Sequence, residues 1–400
     1  MRLLIKYKRR NKLNNSAWNY IPLTSAVKIF DSLRQPINSK ERAKRIEGKK
    51  DSDLFPYYGA TGQVGYIDDF LIDGEYILLG EDGAPFLDAL AKKAYIINGK
   101  SWVNNHAHIL QSKTNNKFLY FYLNYFDYKD YVSGTTRLKL TQARMKQIPV
   151  PVPSLPEQER IVARIEELFS ELDKAVETLK TTKQQLAVYR QAVYASIFDH
   201  GTLRPITDFF EISGGLTKNS KRHEFHTKMP YLRVANVYYN FLDLREIKQI
   251  GVMPNEIERT LLQKDDLLFV EGNGSKSQIG RVAIWDGSIK NCLHQNHLIK
   301  GRPIGGMLPK YALFYLISGY GRKQILDIAS STSGLYTLSI NKIKNLKIPY
   351  IDIDDQKKSL ELIDSRLSCC DQIERTVDTA LQQAEAMRQS ILKQAFEGGL

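Results

Sequence analysis

The chain is poor in cysteine and lacks any long apolar run. Its 400 residues hold three cysteines, Cys292, Cys369 and Cys370, too few and wrongly spaced for a disulfide framework or a thiolate metal site. The adjacent pair Cys369–Cys370 reads as small helix residues, and the expected compartment is the reducing cytoplasm. No stretch approaches the roughly 20 apolar residues that span a bilayer. The charged start Met1–Arg10 is followed by no apolar core or small-residue cleavage site, so neither a membrane span nor a signal peptide is expected. Seven histidines give no His-x-x-x-His pair, which argues against a zinc site. Asn-Pro-Pro-Tyr and Gly-x-Gly-x-x-Gly, which an adenine methyltransferase would use to hold its target base and cofactor, are absent. Gly272–Ser277 imitates a phosphate-binding loop but has no glycine directly before Lys276. Asp243 with Glu246 and Lys248 is too compressed for a nuclease metal site. The chain is therefore read as non-enzymatic on its own, with no cofactor and no metal.

What is present is charge in blocks. Apolar and charged fractions of 42% and 25% fit a folded, water-soluble protein. The net charge of +13 is unevenly spread: +10 over residues 1–150, −2 over 151–203, +9 over 204–350 and −4 over 351–400. Two basic blocks alternating with two acidic ones predict two separate polyanion-binding surfaces.

The chain also repeats itself. At a constant offset of 198 residues, Glu157–Gly201 matches Asp355–Gly399 with twelve identities in 45 pairs. They include Gln158/Gln356, Ile165/Ile363, Asp173/Asp371, Arg190-Gln191/Arg388-Gln389, Phe198/Phe396 and Gly201/Gly399. Both copies read as long helices with apolar residues every seven: Ile165, Leu168, Leu172, Ala175, Leu179, Thr182, Leu186, Tyr189 and Val193 in the first. The second gives Ile363, Arg366, Cys370, Ile373, Val377, Ala380, Ala384, Met387 and Ile391, with Arg366 breaking the stripe. Each such helix offers one seam, so the pair is expected to pack together as an antiparallel coiled coil, a rod of roughly 65 Å.

The blocks between have another texture. Short runs such as Tyr76–Leu79, Ala94–Ile97, Asp266–Val270 and Arg281–Ile284 read as strands between Gly, Asn and Asp turns, and helical patches fall around Phe118–Tyr128 and Tyr311–Ile325. Both blocks run in the same order. A Pro-Tyr strand (Phe55–Tyr58; Met229–Leu232) precedes an apolar strand ending in an acidic-glycine turn (Leu79–Gly83; Phe269–Asn273). An amide-histidine cluster follows (Asn104–His106; Gln295–His297), and a Ser/Gly/Thr stretch closes (Ser133–Thr136; Ser330–Gly334). The expected architecture is mixed α/β: two similar α/β domains, 1–150 and 204–350, separated by the helices of 151–203 and 351–400, with pseudo-twofold symmetry.

Tyr57–Gly62, Gly80–Ala84, Trp102–His108, Tyr231–Val237, Gly280-Arg281 and Gln295–His297, with the Pro-x-Glu-Gln helix start at Pro156–Gln158 and its degenerate copy Asp354–Gln356, resemble the specificity subunits of type I restriction-modification enzymes. The resemblance covers nearly the whole chain. It implies two target recognition domains, each reading half of an interrupted site on double-stranded DNA. It also implies helices that set the gap and dock two methyltransferase subunits, restriction (translocase-nuclease) subunits as further partners, a role in host defence, and no catalysis by this chain. With allowance for the thickness of the domains, a rod of roughly 65 Å against about 34 Å per DNA turn places the half-sites about one turn apart, on one face.

For DNA contact the sequence offers several groups, each with a plainer alternative. Lys6–Lys12, and Lys44, Arg45, Lys49 and Lys50 before the Pro-Tyr strand, suit phosphates or merely solubilise the surface; nothing nearby in sequence neutralises the second cluster. Asn104, Asn105, Gln295 and Asn296 suit bidentate adenine reading, or hold structure. His106 and His297 are read as buried histidines bonded within their domains. Glu81–Gly83 and Glu271–Gly274 read as turns, with Asn273, Ser275 and Lys276 as contacts. Tyr57, Tyr58, Arg233 and Asn236 face either core or groove, and Arg281 is taken as a DNA contact. Thr135, Thr136, Arg137, Ser331, Thr332 and Ser333 lie in loops that carry recognition or simply connect. Outward helix positions Glu166, Glu167, Glu177, Arg190 and Gln191 suit protein partners. A rival of another class is a coiled-coil adaptor whose end domains bind proteins.

Overall fold

In the computed structural model of the protein, residues 18–332 and 334–400 are described; Met1–Arg10, Lys6–Lys12, Ser333 and the side chain of Thr332, singled out above, lie outside the described residues. The chain divides into two compact units, residues 1–180 with 378–400 and residues 181–377.

The first unit holds a four-stranded antiparallel sheet in the order Val27–Ile29, Ala107–Ser112, Tyr76–Gly80, Ala94–Ile97. Beside it lies a three-stranded sheet, Gly62–Ile67, Phe55–Gly59, Trp102–Val103, whose last pair is parallel. The second unit repeats both. Its four strands run Phe210–Gly214, Leu298–Pro303, Leu267–Val270, Val282–Ile284, and its three run Lys248–Gly251, Lys228–Leu232, Leu293–His294, parallel at the same place. The mixed α/β architecture in two copies is thus present down to strand order and direction.

The central strands explain why they read as unbroken apolar runs. Ile77–Gly80 and Leu267–Val270 are buried on both faces, as strands covered on both sides are. Because successive side chains alternate, Ile77 and Leu79 join a cluster with Phe118–Leu123 and Ile161–Ile165, while Leu78 joins Val103 and Ile109. Leu267 and Phe269 likewise separate from Leu268 and Val270.

Two long helices, α1 (Leu155–Phe198) and α2 (Ile353–Glu397), each contribute one segment to each unit. In each unit the two segments run antiparallel: Asp173 meets Arg388 in the first, and Lys183 and Arg190 meet Glu374 and Asp371 in the second. The seam differs from its expected register. Ile165, Leu186 and Val193 in α1, and Ile363, Cys370, Val377, Ala384 and Ile391 in α2, are buried as expected. Tyr189, Ile373 and Met387, however, are 47%, 40% and 53% exposed, and Ala175 and Arg366 are exposed too. The second stripe falls four residues after the first rather than three, on Phe169, Val176 and Arg190, and on Leu367, Glu374, Leu381 and Arg388. Arg366 therefore does not interrupt the seam, and Arg190, expected to point outward, lies in it.

Several of the repeat's identities have a structural reason. Arg190–Asp371 (2.7 Å) and Arg388–Asp173 are the same interhelix ion pair made twice. Gln158 and Gln356 are buried at the helix starts; Gln158 accepts from Thr114 Oγ1 and donates to Pro153 O, and Gln356 accepts from Leu308 N and donates to Ile351 O. Phe396 plugs a cluster of Phe118, Tyr122 and Tyr125, with ring centroids 5.2–5.5 Å apart. Phe198 plugs Tyr311 and Tyr315 at 5.2 and 5.4 Å. Gly201 adopts φ +108° after α1, where a side chain would be strained and would press on Tyr350 O.

Candidate nucleic-acid interface

Three of the motifs that repeat in sequence converge in each unit. In the first, Asn104 N donates to Tyr58 O (3.1 Å), Glu81 N to His106 O (2.8 Å) and Leu140 N to Glu81 O (2.7 Å). In the second, Gln295 N donates to Leu232 O (3.0 Å), Glu271 N to His297 O (3.0 Å) and Leu338 N to Glu271 O (2.7 Å). The Pro-Tyr strand, acidic turn and amide-histidine cluster are therefore laced together by the same backbone bonds twice, and Leu140 and Leu338 tie the segment after each closing stretch to the acidic turn.

In the first unit these segments line an open depression of about 670 Å³, walled by the Gly59–Thr61 turn, Val64, Asp82–Pro85, Asn104, His106 and Thr136–Leu138. Its charges are arranged rather than loose. Asp82 receives Arg137 Nε at 2.8 Å and stands 3.7 Å from His106 Nδ1. Glu81 binds Arg34 at 2.6 Å and lies 3.6 Å from Lys139. The acidic turn thus holds cations at the rim while Arg137 stays 62% exposed. Thr135, Thr136 and Asn105 are exposed. Asn104 is partly committed, its Oδ1 accepting from His106 N at 2.8 Å. Tyr58 is half-buried, and burial raises its hydroxyl pKa.

Beneath the depression sits a closed network. His108 is buried, with Nδ1 2.7 Å from Asp31 and Nε2 3.0 Å from Leu140 O. Burial alone would raise the Asp31 pKa; His108, Gln142 and the Ile109 N–H offset this and hold the carboxyl below its ordinary range.

The basic cluster before the Pro-Tyr strand lies on and after the helix Ser39–Ile46, capped by Asn38. Lys44, Lys49 and Lys50 are exposed. Arg45 corrects the reading that nothing neutralises the cluster: it binds Asp68 at 2.6 Å and covers the Trp102 ring, and Lys49 is 4.0 Å from Asp68. The signal was present in Asp68-Asp69, which the Phe55–Gly59/Gly62–Ile67 hairpin folds back toward the helix. Arg42, which sequence reasoning passed over, stacks on Tyr57 at 4.7 Å.

Several residues face the core rather than a groove. Tyr57 is buried and its hydroxyl donates to Ile37 O. Asn236 is buried, accepting from Arg233 N and donating to Asp243 O and Glu246 O, so it closes a loop. Arg233 reaches Glu246 O at 3.2 Å. Arg281 is 9% exposed. His106 and His297 correct another expectation: both stand beside acids of their own unit, but they are 40% and 56% exposed. The buried histidines are instead His108 and His294.

In the second unit, Glu271 receives His297 at 2.9 Å. Asn273 turns its Oδ1 to Ser275 N (2.8 Å), Ser275 shares a hydrogen bond with Ser277, and Lys276 is exposed. Gln295 and Asn296 are half-buried, and Ser331 is exposed on the strand Ser330–Thr332. Directly before Gln295, His294 is sealed in. Its Nδ1 faces Thr260 O at 2.9 Å and its Nε2 has no partner among the described residues. Burial, helped by Lys300, pushes its pKa down to about 3, and burial brings Lys300 down to about 8. Among the described residues no group of three His, Cys, Asp or Glu side chains gathers to hold a metal ion, and no helix is long and apolar enough to cross a membrane.

This doubled arrangement is that of a DNA specificity subunit of the type I class. The sequence profile of the family described as type I restriction modification DNA specificity domain matches residues 15–187 and 202–383, and the chain belongs to that family. It is 26% identical over 389 residues to S.HindORF215P of Haemophilus influenzae, named as a candidate type I restriction enzyme specificity subunit, covering 93% of this chain and 94% of that one. It is also 26% identical over 289 residues to the type I restriction enzyme EcoKI specificity subunit of Escherichia coli, covering 67% of this chain and 61% of the relative. A solved structure from work on complex assembly and conformational transition of the type I R-M system shares the fold, with a TM-score of 0.69 at 15% identity over 96% of this chain and 99% of the other.

Proposed function

We propose that this specificity subunit recognises an interrupted site on duplex DNA with two recognition domains, residues 1–150 and 204–350, one for each half. The observation that carries the reading is the depression rimmed by Arg137, Thr136, Asn104 and His106, built from backbone bonds that recur in the second unit. Each lies in a block of strong positive charge, which suits a polyanion. Exposed Lys44, Lys49, Lys50 and Lys276 supply phosphate contacts; Asn105, Thr135, Thr136, Arg137, Gln295 and Asn296 supply base contacts. Tyr57 and Asn236 hold the scaffold. The acidic helices α1 and α2 dock two methyltransferase subunits, and restriction subunits join that assembly in the cytoplasm; this chain carries no catalysis itself.

The test is to express the chain with its methyltransferase and sequence methylated adenines genome-wide. A bipartite motif is expected, and exchanging residues 204–350 for those of a relative changes only one half of it. A heptad inserted at matching points of α1 and α2 lengthens the tolerated gap and leaves both halves unaltered. A motif with one half, or one indifferent to the exchange, overturns the reading.

A further inference from the structure

Among the described residues, the second unit carries an element that the first lacks. In the first, the two antiparallel strands of the small sheet are joined by a tight turn at Ala60-Thr61. In the second, the corresponding strands Lys228–Leu232 and Lys248–Gly251 are separated by residues 233–247, which fold into a separate hairpin of Val237–Tyr238 and Phe241–Leu242. Asn240, at its tip, takes φ +50°, a conformation that asparagine tolerates better than most residues.

The pairing fixes which way its side chains point. Val237 lies opposite Leu242 and both join an apolar cluster with Leu232, Ala283 and Trp285. Tyr238 lies opposite Phe241 on the other face, 41% and 59% exposed, with ring centroids 6.1 Å apart. The hairpin is pinned from both sides: Asn240 N donates to Val282 O, and Tyr239 donates its hydroxyl to Ser277 O at 2.6 Å, in the loop beside Lys276. Two arginines lie against the tyrosines of the hairpin. Arg281 lies 4.8 Å from the Tyr238 ring centre, its Nε buried without a partner among the described residues, and Arg322 covers Tyr239 at 5.0 Å. The nearby acids are taken up locally, Asp243 by Arg245 and Glu246 by Lys248 and Arg233.

An exposed aromatic pair on a rigid, arginine-backed hairpin suits a nucleic acid base better than an apolar protein surface, because bases offer flat faces flanked by phosphates. We propose that Tyr238 and Phe241 form a wedge that presses on a base step of the bound duplex, unstacking it and adding an apolar, non-ionic share to binding by the second unit. This rests on the DNA-recognition reading above.

The test uses the full chain and a short duplex carrying the site found by adenine sequencing, with 2-aminopurine placed singly along one half. Wild-type binding is expected to raise 2-aminopurine fluorescence at one step within the half-site of the second unit. The double variant Tyr238→Ser/Phe241→Ser, with folding checked by circular dichroism and melting, is expected to lose that signal and about ten- to a hundredfold in affinity, with the salt dependence unchanged. Phe241→Trp with Tyr238 retained is expected to keep both signal and affinity. Unchanged affinity and fluorescence in a folded double variant overturn the wedge while wild-type binding leaves the DNA reading standing. Loss of methyltransferase co-purification with intact duplex binding would overturn it in favour of a protein contact. Failure of the wild-type chain to bind the duplex at low salt removes the DNA reading itself, and the wedge with it.

Discussion

The two units share a strand order and a set of backbone bonds, yet they solve their polar interiors differently. In the first, His108 faces an oxygen at each ring nitrogen, and Asp31 gathers a ring nitrogen, an amide and a backbone N–H. The second leaves His294 Nε2 without a partner among the described residues and crowds Lys300 and Arg302 around a fully buried Asp266. It also adds the aromatic hairpin. A repeated fold thus constrains the frame and the helix contacts, while the side chains around the buried histidines are free to diverge.

The comparison is broken most forcefully at the aromatic plugs. Phe396→Ala and Phe198→Ala each empty an equivalent position and are expected to cost about 3–5 kcal/mol; denaturant unfolding that shows only one of them matters would end the claim of equivalent frames. A smaller, pH-dependent effect separates the interiors. An ordinary histidine takes up its proton near pH 6.5, whereas His294 resists until about pH 3. The unfolded chain therefore binds the extra proton across that window. Stability from this source is complete above pH 6.5 and is lost as pH falls toward 3. His294→Leu is expected to flatten the acid side of the melting profile, on the order of a few kcal/mol by pH 4, and an unaltered profile would count against a neutral buried ring. The smallest effect concerns the paired helices. Arg190→Ala and Arg388→Ala remove the same ion pair from each unit, and partial exposure limits each loss to roughly 0.5–1 kcal/mol. A loss several times greater at one of them would show that the two seams are not alike.

Much of this frame was legible in sequence. The offset of 198 residues located both long helices, and identities such as Gln158/Gln356 and Asp173/Asp371 marked contacts that each unit repeats. The second seam stripe was misread because apolar character was the guide. Tyr189, Ile373 and Met387 look like core, but ion pairs through Arg190 and Arg388 take the inward positions instead. The buried state of Tyr57 was not legible, since a strand of alternating side chains does not declare which face meets the core, and that of Asn236 depends on loop carbonyls seven and ten residues away. The Arg45–Asp68 contact, across 23 residues, left only the acidic pair Asp68-Asp69 as its signal. The aromatic hairpin left a signal, Tyr239-Asn240 between paired apolar positions, that went unread among the more repetitive motifs.

The aromatic plug at Phe396 also bears on the order of events in synthesis. Residues 181–377 form their unit from one unbroken stretch, whereas the first unit needs residues 378–400 to fill its aromatic cluster. On the ribosome the earlier-made unit is therefore the later to be completed, its Asn116–Tyr125 helix left waiting until nearly two hundred further residues of the second unit have emerged. A nascent chain arrested before Phe396 would present that sticky surface to chaperones.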